Sequence, residues 1–129
     1  MIILLSFCMV FFSCCCNDDC IFGRITVTYK VESTSISNAS VMFNNDYGDP
    51  ELYRSVSLPW EYTFTIKNRG KDYYGGDYNG YFPAFVSARS ATSVSGLITV
   101  MIYVNGKPVE SASTTSTRPT AEARYNVEF

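Results

Sequence analysis

Polar and apolar residues alternate with a period of two through most of this chain. The alternation is sharpest over residues 97–104, where Ile98, Val100, Ile102 and Val104 interleave with Leu97, Thr99, Met101 and Tyr103. That period belongs to a β-strand with one buried face, because successive side chains point to opposite sides. Asn105 and Gly106 follow directly, and both tolerate the positive φ that a type I′ turn requires. Lys107-Pro108-Val109 then begins the return strand, with Pro108 where an edge strand can do without an N–H. The stretch predicts a β-hairpin.

Residues 24–32 repeat the pattern, with Ile25, Val27, Tyr29 and Val31 on one face and Thr26, Thr28, Lys30 and Glu32 on the other. Such clean alternation predicts a half-buried antiparallel strand. A second strand is expected over 39–44 through Val41 and Phe43, followed by a loop at 44–50 dense in Asn, Asp, Gly and Pro. A short strand at 55–58 meets Pro59, after which Trp60, Tyr62, Phe64 and Ile66 share one face of the segment 60–66. Trp60, the single tryptophan, is expected to fill a large part of a small core. Ala84, Val86 and Ala88 point inward from a strand at 84–89. The return arm of the hairpin, 109–113, gives way to a Ser/Thr-rich loop at 114–120, and 121–129 alternates once more. About seven short strands without a helical period predict an all-β fold, an immunoglobulin-like antiparallel β-sandwich.

Composition narrows the function classes. With 129 residues there is room for one domain, and 47% hydrophobic residues support a packed core. A net charge of −2 without a basic stripe argues against nucleic-acid binding. There is no histidine, so the commonest general base and the commonest transition-metal ligand are both missing. No Gly-x-Ser-x-Gly motif occurs, and all five cysteines (Cys8, Cys14, Cys15, Cys16 and Cys20) precede the strands. The carboxylate pairs Asp49 with Glu51 and Asp72 with Asp77 fall in loops, whereas a glycosidase holds its pair rigidly across a cleft. The chain is therefore read as a non-enzyme without a cofactor. Asp72, Asp77 and Asn79 offer oxygen ligands, yet their spacing fits no calcium loop, and they are read as solvated turn residues.

The first twelve residues, MIILLSFCMVFF, are almost wholly apolar and break at Ser13. Such a run is short for a permanent transmembrane helix, which needs about 20 residues, and suits a signal-peptide core. Ser13-Cys14 followed by acidic Asp18 and Asp19 resembles the lipobox of bacterial lipoproteins, with the export signal of Bacteroidota-type surface lipoproteins behind it. The resemblance implies acylation of Cys14 and a membrane held through lipid. Residues 1–20 are accordingly read as signal peptide and lipidated tether, and 21–129 as the sandwich. The expected location is the bacterial cell envelope, as an outer-membrane lipoprotein open to the surface.

Val27-Thr28-Tyr29-Lys30-Val31, Leu58-Pro59-Trp60 with Tyr62-Thr63, and Ile98 through Lys107 together carry a second resemblance. The pattern is similar to the small extracytoplasmic domains of the MmpS type and their Bacteroidota lipoprotein relatives, over most of residues 25–129. That resemblance implies a β-sandwich, and a role as accessory subunit of an envelope transporter of the resistance-nodulation-division class.

One stretch follows no period. Residues 68–83, NRGKDYYGGDYNGYFP, mix Gly, Asp and Asn with Tyr73, Tyr74, Tyr78, Tyr81 and Phe82. Long connections in compact domains are more often functional than average, and tyrosines on an adaptable backbone make good contact surfaces. This loop is the expected recognition surface of an envelope binding or adhesion module, whose partner is an envelope protein or a glycan.

Overall fold

The computed structural model describes residues 24–66 and 81–128. The described residues form eight strands and no helix: β1 (Ile25–Ser33), β2 (Asn38–Asn44), β3 (Pro50–Ser57), β4 (Trp60–Ile66), β5 (Tyr81–Ser90), β6 (Ser95–Val104), β7 (Lys107–Thr117) and β8 (Thr120–Glu128). Two four-stranded antiparallel sheets, ordered β4-β1-β6-β7 and β3-β2-β5-β8, pack as a sandwich. Adding four to each strand number of β4-β1-β6-β7, modulo eight, gives β8-β5-β2-β3, which is the other sheet, so β1–β4 and β5–β8 have equivalent topology. In consequence the lateral edge formed by β3 and β4 is the counterpart of that formed by β7 and β8.

The inward positions are those of the alternation. Val27, Tyr29, Val31, Ile98, Val100 and Ile102 from one sheet, and Val41, Phe43, Val86 and Ala88 from the other, are fully buried. Tyr29 is the largest side chain at the centre. Its hydroxyl donates to the Asn44 carbonyl at 2.9 Å and accepts the Phe85 N–H at 3.3 Å, tying the two sheets together through one phenol. Burial without those bonds would cost several kcal/mol for such a group, so both partners matter. Desolvation pushes the Tyr29 phenol well above its ordinary value, with the Phe85 N–H acting against it.

The Asn105-Gly106 turn has φ of 49° and 77° at its two residues, as type I′ demands. Asn105 does a second job: its N–H donates to Thr26 O at 2.8 Å and its Oδ1 accepts Thr26 N–H at 2.9 Å. The hairpin is thereby locked to the first strand. At the opposite end Gly96 lies against the 33–37 turn, where a Cβ would stand 3.0 Å from Ile36 Cγ1.

Three expectations need correction. There are eight strands, because residues 50–57 form one continuous strand instead of a short segment at 55–58. That strand lies at a sheet edge, carries Ser55 at φ 57° and meets a register shift between Ala39 and Val41, so its polarity follows no clean period. Likewise β7 runs on to Thr117 and pairs with Ser95, so most of the Ser/Thr-rich loop is strand. Threonine suits an edge strand well, and Thr99 with Ser113 closes a cross-strand hydroxyl pair at 2.8 Å. Finally Trp60 is half-buried against the core rather than at its centre.

Candidate functional site

Why Trp60 stays half-exposed follows from the position of β4. Its inward residues change along the strand, from half-buried Trp60 and Tyr62 to buried Phe64 and Ile66. β4 is the outermost strand of its sheet, as β3 is of the other. On the far side the small inward residues Ala112, Ala121 and Ala123 let the backbones of β7 and β8 come within 8 Å. No approach of comparable extent joins β3 to β4 among the described residues. Rings fill that gap instead.

Phe43 is the floor of this aromatic seam. It is fully buried and meets Tyr62 at 4.6 Å, Tyr53 at 5.2 Å and Trp60 at 5.3 Å between ring centroids. Trp60 and Tyr62 stand on one face of β4 with planes only 5° apart and centroids 6.2 Å apart. Tyr53, from β3 across the gap, meets Trp60 edge-on at 6.4 Å and remains 40% exposed. Each contact lies within the range in which tilted or offset rings attract. The seam is thus rigid from below and open from the side.

Polar groups line one flank. The β2–β3 turn is held by Asn45, whose Oδ1 accepts the N–H groups of Tyr47 and Asp49, both at 3.0 Å. Its Nδ2 donates to Glu51 Oε1 at 2.8 Å. The Glu51 carboxylate lifts the Tyr53 phenol above its ordinary value, by hydrogen bonding and then by its charge. Partial burial lifts Tyr62 likewise, with smaller contributions from the charges of Glu51 and Asp46. The flank therefore carries negative potential and a preset hydrogen-bonding group beside aromatic faces.

The sequence-predicted site residues fare differently. Cys14, Tyr73, Tyr74 and Tyr78 lie outside the described residues. Tyr81 opens β5, half-buried and paired with Glu128. Phe82 is a correction: it is fully buried and meets Phe64 edge-on at 5.5 Å, so it belongs to the core and cannot line a contact surface. Residues 81–83 are strand, because Phe82 and Pro83 pair with Val127 and Asn126, and Pro83 lies beyond the last pair joining β5 to β2. The seam itself was missed. Trp60 and Tyr62 read as core from their period, and Tyr53 falls in the one strand without a period. A run of large rings on a single strand face, more than a small core needs, is the signal that could have found them.

A shallow groove of about 310 Å³ beside the Trp60 end of β4 is lined by Glu32, Ser33, Thr34, Pro59, Leu97 and Thr99. It has no aromatic wall. Compared with known protein families and curated proteins, the chain matches no family model and no curated sequence.

Proposed function

We propose that this chain is an exported, lipid-anchored β-sandwich of the bacterial cell envelope, a non-enzymatic binding module whose contact surface is the aromatic seam between β3 and β4. The observation that carries the reading is the seam itself: Trp60, Tyr62 and Tyr53 supported on Phe43 yet open to solvent. Tryptophan and tyrosine offer large contact area with little conformational entropy to lose, which is why they concentrate in recognition surfaces. The equivalent edge closes on alanine, so large rings are not the general way this fold ends a sheet.

The anchor reading rests on the apolar leader and Ser13-Cys14. About ten residues between Cys14 and Arg24 reach at most about 35 Å when extended, so the lipid would hold the end where β1 starts near the bilayer. The Asn105-Gly106 turn shares that end, through its bonds to Thr26. The seam runs along the side of the sandwich and stays accessible in that orientation.

A second reading comes from the segments that carry the MmpS-type resemblance. They meet in one sheet, with Val31 pairing both Trp60 and Val100. It assigns the domain to a resistance-nodulation-division transporter as accessory subunit.

The test is retention of detergent-free envelope fragments on the immobilised full chain, together with palmitate labelling in the producing cell. Wild type should take up label that Cys14→Ala loses, and should retain fragments that a Tyr53→Ala/Tyr62→Ala double variant releases. Retention unchanged by the double variant would remove the seam from the function. A transporter subunit as the retained species would move the assignment to the second reading.

A further inference from the structure

We infer that the ligand of the aromatic seam is an uncharged saccharide. The inference rests on the seam being the contact surface proposed above, and deepens that reading by naming the chemistry. A sugar ring presents an apolar face of C–H groups and a rim of hydroxyls, so a matching site needs flat apolar rings beside hydrogen-bonding groups. Both are present.

Trp60 and Tyr62 supply the flat element. Their planes differ by 5°, and Phe43 supports both from the core side at 5.3 and 4.6 Å. Rings held in this way lose little freedom when a ligand arrives, which is a condition for tight binding by a small surface. Tyr53 lies across the gap and meets Trp60 edge-on at 6.4 Å.

Glu51 and Asn45 supply the polar element. Glu51 Oε1 already accepts Asn45 Nδ2 at 2.8 Å, and its charge reaches the Tyr53 phenol. A carboxylate offers about four acceptor sites, so the Asn45 bond orients it while leaving capacity for sugar hydroxyls. Hydroxyls removed from water without such partners would cost free energy.

Charge decides between classes of saccharide. The Glu51 and Asp46 carboxylates both act on Tyr62 through their charge. Their field opposes uronic, phosphorylated or sulfated sugars and leaves neutral ones unpenalised.

The experiment uses the purified full chain in detergent and the fluorescence of its only tryptophan, Trp60. The probes are cellohexaose, maltohexaose and chitohexaose, with oligogalacturonate as the acidic control. At least one neutral hexaose should change Trp60 emission saturably, and the acidic probe should not. Calorimetry on variants then locates the site. Tyr62→Ala should weaken binding about tenfold, and Tyr53→Ala, at an exposed edge position, should weaken it without lowering the melting temperature appreciably. Glu51→Gln keeps a hydrogen-bonding group while removing charge, so it should narrow the gap between neutral and acidic probes. Neutral binding undiminished in both tyrosine variants would overturn the inference. So would envelope fragments that still bind through the seam after periodate cleavage of their sugar diols; the binding reading would then stand and its ligand would not be a glycan. Loss of seam-dependent retention altogether would instead sink the binding reading, a result distinct from either.

Discussion

The two lateral edges of this sandwich are equivalent in topology and opposite in construction. At one, β7 and β8 draw together over Ala112, Ala121 and Ala123. At the other, β3 and β4 stand apart over Phe43, Tyr53, Trp60 and Tyr62. Side-chain volume sets the difference. Protein interiors pack to a near-constant density, so methyl groups allow two sheets to converge where rings hold them open. The closed edge removes surface from water on both sheets. The open edge leaves large rings half in water, an arrangement that forgoes part of their burial energy. The closed edge shows that alanine can end a sheet of this topology, so the rings at the other edge do more than the fold alone asks.

Phe43→Ala should have the largest effect, because it removes the floor of the open edge. Loss of a fully buried phenylalanine costs about 3–5 kcal/mol, readable in denaturant titration. Trp60→Ala should cost clearly less, since its indole is only half-buried. Equal losses would mean that the seam is core, and the contrast between the edges would fail.

Ala123→Leu tests the closed edge from the other direction. Ala123 is buried at 3% exposure, and an added side chain there should cost about 1–3 kcal/mol through overpacking. A neutral result would show slack between β7 and β8. The same measurement on Tyr53→Leu, at the open edge, should register little.

Tyr29 sits between the edges and supplies a pH-dependent term. Burial raises its phenol above the unfolded value of about 10. Above pH 10 the unfolded chain releases a proton that the native state retains, so stability is full below about pH 10 and falls as pH rises further. Tyr29→Phe should begin about 1–3 kcal/mol less stable, with the Phe85 N–H and Asn44 carbonyl deprived of the phenol. It should then lose less on going from about pH 9 to pH 11, the residual slope coming from tyrosines such as Tyr53 and Tyr62. Parallel pH curves for the two proteins would contradict this account.

The smallest effect belongs to Tyr53→Ala. At 40% exposure on an edge strand it should change stability by less than about 1 kcal/mol. A larger loss would mean that Tyr53 props the sheets apart as a structural element, which would weaken its role in contact.

Period and turn chemistry are local, and whatever depends on them alone was legible in the sequence. Val27, Tyr29 and Val31 on one strand, Ile98, Val100 and Ile102 on another, and the Asn105-Gly106 turn all stand where alternation and turn preference put them. The two-layer antiparallel architecture follows from the same signals. Tertiary structure alone decided which strands end a sheet, and that choice made the seam. An inward residue on such a strand is buried only where the facing sheet packs over it, as Phe82 of β5 does over Phe64 at 5.5 Å, and that packing is set by partners distant in sequence. Thus Trp60 and Phe64 share one face of one strand, yet the first is half-exposed and the second buried. Phe82 shows the converse. It follows a stretch of glycine, aspartate and asparagine that reads as loop, but pairing with Val127 on β8 draws it into the core.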